Sequence, residues 1–166
     1  MLFRSAVGAP DGFVALVSKY YSASWNGWQI GMDQVDGTIN PWYLKSRADS
    51  VIGDFDGRPP LETGSGMADG RWHQVVFTVD ASSGGILYLD GAEVSRQAWR
   101  GAAGATAGSY PLVLGAYPGS NTYYFTGDLD DVRLYQRALS AAEVQDRKST
   151  RLNSSHVSES RMPSSA

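Results

Sequence analysis

The sequence contains no cysteine and only two histidines among its 166 residues. Without cysteine the chain cannot form disulfide bonds, so no disulfide framework supports the fold. Structural zinc sites are built mainly from cysteine and histidine, and a nucleophilic triad needs a histidine that is matched with other groups. His73 is the one histidine ahead of the serine-rich C-terminal tail. We therefore interpret His73 as a structural residue and expect no catalytic residues of these kinds.

Long apolar runs and an excess of positive charge are also missing. No apolar stretch approaches the ~20 residues of a membrane-spanning helix, so we expect no membrane insertion. The formal net charge of −3 disfavours nucleic acid as a partner. The 19 glycines and the many aromatic residues favour short strands joined by tight turns. The length of 166 residues suits one domain of ordinary size.

Alternation of apolar and polar residues predicts strands along most of the chain. The strongest predicted strand is Trp72–Asp80, in which Val75, Phe77 and Val79 form one apolar face. Regular short strands with turn signals between them are typical of a two-sheet antiparallel sandwich. The large tryptophans at the strands, Trp28 and Trp72, are expected in its core.

The closing stretch FTGDLDDVRLYQRALSAAE predicts a long strand that is followed by a helical turn. The step from Leu129 to Val132 is odd in length, so strict two-residue alternation breaks there. A bulge at Asp130–Asp131 would let both apolar residues face one core. Ser140 and Glu143 then have the spacing of a capping box, which marks the beginning of a helix.

Three motifs in this order resemble the laminin-G-like, concanavalin A-like lectin/glucanase jelly-roll domains of large secreted proteins. They are DGRWHQV at Asp69–Val75, LYLDG at Leu87–Gly91 and the closing stretch described above, and the resemblance covers roughly Ala15 to Gln145. It implies an all-β, antiparallel two-sheet β-sandwich. Such domains have more strands than this chain offers, so the N-terminal strands are expected to be missing, with an exposed sheet edge left behind. The same fold serves lectins, glycosidases, adhesins and passive spacers.

Both ends of the chain resemble translated sequencing-library adapter. The peptide Asp146–Ser149 can be encoded GAT CGG AAG AGC, and the reverse complement of that DNA, shifted by one base, encodes Leu2–Ser5. Two unrelated protein ends should not be reverse complements, and processing scars of this kind belong outside fold reasoning. We therefore divide the chain into residues 1–5, which are adapter-like, a jelly-roll domain at 6–145 and an adapter-like tail at 146–166, in keeping with a metagenomic fragment.

The acidic residues of the closing stretch, Asp128, Asp130 and Asp131, allow two kinds of chemistry. A retaining glycosidase needs two carboxyls about 5 Å apart. The glucanases of this superfamily are recognised by alternating glutamates along one strand, whereas the acids here are aspartates, so we expect no enzymatic activity. The resemblance implies instead a calcium ion at the sandwich rim, held by Asp130 and Asp131 through hard oxygen ligands. The alternative is that Asp131 pairs with Arg133 or caps a turn.

Aromatic residues in predicted loops and at strand ends are candidates for stacking on sugar rings. The alternative is packing at the rim of the sandwich, with the polar tip of each ring turned outward. The first choice is Trp99, followed by Trp42 and Tyr43 and then by Tyr123 and Tyr124, and Trp25 and Tyr117 belong to the same group of loop and strand-end aromatics. Gln97 and Arg100, the neighbours of Trp99, can hydrogen-bond to hydroxyl groups.

Together these features predict a non-catalytic carbohydrate- or protein-binding module of a larger secreted bacterial protein. Its partner would be a glycan or a cell-surface protein, and its location extracellular or at the cell surface. One alternative is a structural spacer that packs on a catalytic neighbour. A second alternative is a concanavalin A-like glycoside hydrolase, which would require paired carboxyls in a cleft.

Overall fold

A computed structural model describes residues 1–6, 12–51, 61–117 and 124–148, and in these residues two antiparallel sheets face each other. This arrangement confirms the predicted all-β sandwich. The strands are β1 (Leu2–Ser5), β2 (Phe13–Tyr21), β3 (Asn26–Asp33), β4 (Ile39–Leu44), β5 (His73–Asp80), β6 (Gly84–Leu89), β7 (Ala92–Gln97), β8 (Val113–Leu114) and β9 (Gly127–Asp130). A short 3₁₀ turn, Ser22–Ser24, connects β2 to β3.

The five-stranded sheet has the order β7-β6-β5-β1-β9, and the four-stranded sheet has the order β4-β3-β2-β8. Successive hairpins supply most neighbours in each sheet, because short turns join antiparallel strands directly. The exceptions are β1, which lies between β5 and β9, and β8, which pairs with β2. In the four-stranded sheet the register shifts between Ala15 and Val17, which is a β-bulge in β2.

The main core lies between the two sheets. Val75 and Phe77 of β5 face it, as their alternation predicts. Its fully or largely buried members are Phe3, Val14, Leu16, Ile30, Met32, Ile39, Leu61, Val75 and Leu87. Burial of this apolar area is the main favourable contribution to stability, at about 25 cal/mol per Å².

A helix at residues 141–148 covers the face of the five-stranded sheet that is turned away from the main core. Val144 packs there with Leu139 against Ile86 and Tyr88, which alternate with the core-facing residues of β6. The predicted capping box is confirmed: the Ser140 N–H donates to Glu143 Oε2 at 2.9 Å, and the Glu143 N–H donates to Ser140 Oγ at 3.3 Å. A helix this short gains much of its stability from such caps and from tertiary packing.

The predicted long closing strand is wrong beyond Asp130, where β9 ends. Asp131 has φ = 51°, in the left-handed region, so the backbone leaves the extended conformation at the predicted bulge and does not return to the ladder. Leu129 packs against the core, but Leu134 is 59% exposed. The break in alternation is therefore an end of the strand and not a local irregularity within it.

The prediction that Trp72 is a core residue is also wrong, because 45% of its surface is exposed. It directly precedes β5 and has the opposite parity to His73, Val75 and Phe77, so it faces outward. There the guanidinium carbon of Arg4 lies 5.2 Å from its ring centre. Trp28, the other tryptophan expected in the core, is half-buried.

Residues at both ends of the chain that we interpret as adapter-like take part in the structure. Leu2–Ser5 forms β1, with Phe3 fully buried, and Lys148 Nζ donates to the Asp90 carbonyl at 2.8 Å. Residues 149–166 lie outside the described part of the chain. These contacts show where the terminal residues lie and carry no information about their origin. The adapter origin of both ends stays a prediction.

Candidate functional site

The predicted ligand residues Trp42 and Tyr43 are neighbours in β4 and therefore project from opposite faces of the four-stranded sheet. Trp42 is opposite Gln29 across the β3–β4 ladder, and Gln29 is opposite Ser18 across the β2–β3 ladder. These three side chains form one row on the face that is turned away from the core. We call this face of the four-stranded sheet the outer face.

Aromatic rings gather on the outer face around the buried ring of Tyr20. The Trp42 ring centre lies 5.8 Å from that of Tyr20 at an interplanar angle of 61°, and the Tyr117 ring centre lies 6.3 Å from it at 64°. Phe13 lies 6.4 Å from Trp42. Trp25 packs against the same cluster. We call this group of five rings the aromatic shelf; Tyr20 is buried and the other four are half-buried.

Local contacts hold the rings of the shelf in place. The Trp42 indole N–H donates a short hydrogen bond to Asn40 Oδ1 in the same strand. The Phe13 ring lies directly over Gly31, where any added Cβ would collide with it. At the end of the shelf, the guanidinium carbon of Arg47 stands 4.9 Å from the centre of the Trp25 ring, a cation–π contact. The edge-to-face contacts between the rings of the shelf fix the orientation of those rings and add to the stabilisation that apolar burial provides.

The floor beneath the shelf is polar. Ser18 and Gln29 are almost completely buried, and Ser18 Oγ donates to Gln29 Oε1 at 3.4 Å. Buried polar groups are normally hydrogen-bonded. The hydrogen bond between Ser18 and Gln29 therefore favours one arrangement of these two side chains below Trp42. The sequence pattern did not indicate the floor or two of the five rings, Phe13 and Tyr20, because alternation alone does not tell which outward face is covered.

Trp99 and Tyr43 meet each other at a different place from the shelf. Their ring centres are 5.7 Å apart at 84°, and the Trp99 indole N–H donates to the Asp80 carbonyl at 2.9 Å. Tyr43 Oη donates to the Gly104 carbonyl at 3.4 Å and accepts the Thr106 N–H at 3.3 Å. Both rings are half-buried. Their contacts are those of rim packing, the alternative that the sequence left open.

Of the remaining aromatic candidates, Tyr124 belongs to the described residues. Tyr124 is 57% exposed and forms an isolated bridge with Ala116, just before Tyr117 of the shelf. Tyr123 lies outside the described residues. Gln97, named as a possible partner of a ligand near Trp99, is buried.

Each acid of the closing stretch has a local partner. Arg4 Nη2 lies 2.7 Å from Asp128 Oδ2, and Asp130 Oδ1 accepts the N–H of Asp131 at 2.7 Å. Arg133 Nε donates to Asp131 Oδ1 at 2.6 Å, and this bond raises the pKa of the Arg133 guanidinium. Within the described residues, no group of three or more acidic or histidine side chains has an arrangement that could hold a metal ion. Calcium takes six to eight oxygen ligands, so Asp130 and Asp131 alone do not make a complete site, and calcium binding stays a prediction.

His73 joins two carboxylates from different turns. Its Nδ1 lies 2.8 Å from Asp90 Oδ2 and its Nε2 lies 3.1 Å from Asp69 Oδ1. Burial opposes protonation, but the hydrogen bonds to Asp90 and Asp69 outweigh it and raise the pKa of the His73 imidazole. Because both ring nitrogens are engaged, the imidazole has no nitrogen left to exchange a proton with a substrate. This geometry is that of a structural clamp.

Comparisons with known proteins agree with this architecture. A family model of the concanavalin A-like lectin/glucanases superfamily, of the laminin G type, matches residues 6–145. A search of curated proteins found no match. Among the described residues, no helix is long and apolar enough to cross a membrane. The match spans most of the chain and contains all three motifs, so the chain belongs to the laminin G-type concanavalin A-like lectin/glucanases superfamily.

Proposed function

We propose that this domain is a non-catalytic binding module whose aromatic shelf receives a carbohydrate. The observation that carries the proposal is the grouping of four half-buried rings around the buried ring of Tyr20 on one sheet face. Half-buried rings offer an apolar face that is already ordered, so a ligand would not have to immobilise them at a cost in free energy. Ligand sites commonly combine such rings with a few polar groups that fix orientation.

The polar group best placed for that task is Asn40. Its Oδ1 accepts the indole proton of Trp42, so its amide nitrogen can donate to a hydroxyl group of the ligand. Stacking would supply most of the affinity and such hydrogen bonds the selectivity. A shallow site of this kind should bind weakly, near millimolar, which corresponds to about −4 kcal/mol.

The environment of three described aspartates, Asp36, Asp49 and Asp80, supports a role without catalysis for these residues. Asp49 accepts the Ala102 N–H, Asp80 accepts the N–H groups of Ser82 and Ser83, and Asp36 accepts the Thr38 N–H. The Ser82 hydroxyl, together with these backbone N–H groups, lowers the pKa of Asp80 to about 2, and the backbone N–H donors lower the pKa of Asp36 and Asp49. A glycosidase acid needs the opposite, a raised pKa.

The family also supports the wider setting of the proposal. We place the domain in a larger secreted bacterial protein, outside the cell or at its surface, with a glycan or a cell-surface protein as partner. The competing function is that of a spacer, in which the shelf would be covered by a neighbouring domain. That alternative is favoured only if the isolated domain binds no sugar.

A glycan array followed by titration calorimetry tests the proposal. Trp42→Ala and Tyr117→Ala should each weaken binding about fivefold or more, by analogy with nucleobase stacking on aromatic side chains, which contributes about 1–3 kcal/mol per ring. Trp99→Ala is the matched control, because Trp99 lies away from the shelf. Loss of binding in Trp99→Ala alone would move the site to the Trp99–Tyr43 pair. No binding at all would favour the spacer, and release of reducing sugar would favour the hydrolase.

A further inference from the structure

The turn between β2 and β3 contains a tryptophan in an unfavourable backbone conformation. Trp25 has φ = 49°, in the left-handed region. The other two non-glycine residues with positive φ in the described part of the chain are Asp90 and Asp131, and aspartate tolerates this region because its short side chain can hydrogen-bond locally. A bulky aromatic residue has no such compensation, so contacts from its surroundings must hold it there. Strained backbone of this kind clusters at binding and active sites.

The ring that this conformation places belongs to the aromatic shelf. Trp25 packs against the cluster of Tyr20 and Leu44, and the guanidinium carbon of Arg47 lies 4.9 Å from the centre of its ring. The direction of a side chain follows the backbone conformation at its own residue, so a right-handed or extended Trp25 would direct its ring elsewhere. The ring therefore stays at this end of the shelf only as long as the strained turn is maintained.

The next residue, Asn26, supplies contacts that hold the turn. Its Nδ2 donates to the Lys45 carbonyl, directly after β4, at 2.8 Å, and its Oδ1 accepts the Ala107 N–H at 2.8 Å. The backbone of Asn26 is bound as well, because its N–H donates to Ser24 Oγ at 3.3 Å and its carbonyl accepts from the same hydroxyl at 3.2 Å. Trp25 thus lies between two residues that are bound to each other.

Only an amide side chain can make both side-chain bonds of Asn26. The Lys45 carbonyl requires a donor and the Ala107 N–H requires an acceptor, so these partners fix the orientation of the amide. Aspartate would keep the acceptor but would present an oxygen to the Lys45 carbonyl, and alanine would lose both bonds. Asn26 thereby joins the turn to the end of β4 and to residues 101–108, a segment that we call the strap.

The strap is held mainly by polar contacts from other segments. Its sequence, GAAGATAG, contains no large apolar side chain that could anchor it by burial. Gly108 approaches the turn closely, since an added Cβ would lie 3.2 Å from the Asn26 carbonyl oxygen. Segments that depend on a few hydrogen bonds open locally at a low cost in free energy. Besides the bond to Asn26, hydrogen bonds reach the strap from the side chains of Tyr43, Lys45 and Asp49.

We propose that Asn26 is a positioning residue of the aromatic shelf, which fixes the Trp25 ring and couples it to the strap. This inference rests on the proposed function, in which the ring is a ligand contact. A ring that is already ordered costs less free energy on binding than one that must be immobilised. The strap provides one of the two side-chain bonds of Asn26, so its release should loosen the turn and weaken binding. By linkage, a bound carbohydrate should in turn stabilise the strap.

The first measurement needs no ligand. In NMR spectra of the full chain, Asn26→Ala should shift the indole N–H signal of Trp25, which is assigned with Trp25→Phe. The same variant should speed hydrogen exchange of the Ala107 amide about tenfold, because that amide loses its acceptor. Loss of stability alone would not move one particular indole signal in a protein that stays folded, so this readout separates positioning from general support.

Gln34→Ala is the matched control. The Gln34 amide also joins distant segments, since it donates to the Thr126 carbonyl at 3.2 Å, but it follows the opposite end of β3. Its loss should lower stability and leave the Trp25 signal unchanged. Ala107→Pro removes only the N–H that Asn26 accepts, and it should shift the Trp25 signal even if Asn26→Ala does not fold. An unchanged Trp25 signal in these folded variants, or an equal shift in Gln34→Ala, would overturn the proposal.

A double-mutant cycle then tests how Asn26 acts on binding. The probe is the oligosaccharide that binds most tightly in the glycan array, and titration calorimetry gives its affinity. Asn26→Ala should weaken binding about fivefold, as loss of one stacking ring would, and should have no further effect in Trp25→Ala. Additive losses would mean that Asn26 acts independently of Trp25 and would overturn the proposal. If the unaltered protein binds no oligosaccharide, the proposed function fails, whereas the spectra still decide whether Asn26 positions the ring.

Discussion

His73 Nδ1 lies 2.8 Å from Asp90 Oδ2, and this contact ties the beginning of β5 to the turn between β6 and β7. Asp90 Oδ1 also accepts the Gln74 N–H at 3.0 Å, so one carboxylate serves both the side chain and the backbone of β5. Asp69 holds the other imidazole nitrogen and is itself paired with Arg71. The clamp joins two motifs, DGRWHQV and LYLDG, that stand apart in the sequence.

The first prediction is that this clamp makes stability depend on pH near neutrality. The pKa of His73 is raised in the folded state, so its contribution is fully present below its unfolded pKa of about 6.5 and is lost as pH rises through the folded pKa. The free energy of unfolding should therefore fall as the pH rises above about 6.5. Urea titrations on both sides of that pH measure the slope, and His73→Gln should flatten it. An unchanged slope in His73→Gln would assign the dependence to other groups.

The second prediction corrects the expectation that Trp72 supports the core. Because nearly half of the Trp72 surface is exposed and its contact with Arg4 is a surface cation–π pair, Trp72→Ala should cost about 1 kcal/mol or less. Leu87→Ala, at a fully buried position of the same sheet, should cost about 2–5 kcal/mol. Denaturant titration of both variants makes the comparison. Similar losses at the two positions would contradict the outward placement of Trp72.

The third prediction concerns the support of the aromatic shelf. A Cβ at Gly31 would collide with the Phe13 ring, so Gly31→Ala should displace that ring and cost about 1–3 kcal/mol, as overpacking usually does. It should also weaken any ligand of the shelf. Gly64→Ala is the matched control, since nothing lies within 4 Å of a Cβ at Gly64. Equal stability of the two variants would argue against the close contact of Phe13 with the sheet.

The fourth prediction is weak calcium binding through Asp130 and Asp131. A cation that binds only the folded state should raise the melting temperature when calcium is added, and Asp130→Ala should remove that shift. Binding requires Asp131 to exchange its contact with Arg133 for the cation, which keeps the affinity low. Melting curves in calcium and in chelator measure the effect. Asp128→Ala is the control, because Asp128 pairs with Arg4 and is not a predicted ligand; coincident curves for the unaltered protein would refute calcium binding to this chain.

Much of the fold follows from the sequence because neighbouring residues decide it. The alternation of Val75, Phe77 and Val79 predicts β5 and its core face, since side chains alternate along any extended strand. The Ser140–Glu143 capping box predicts where the helix begins, because both of its hydrogen bonds lie within four residues. The three ordered motifs predict the family.

The candidate site depends on contacts between residues that are distant in the chain, and only the tertiary structure supplies them. Tyr20, Trp42 and Tyr117 meet because the register of β2, β3 and β4 and the return of the chain after β8 bring them to one face. The end of β9 at Asp130 and the outward position of Trp72 were decided in the same way, by which strands were available to pair with them and which faces were covered. Local sequence determines which faces a strand has, whereas burial of a face requires a partner from elsewhere in the chain.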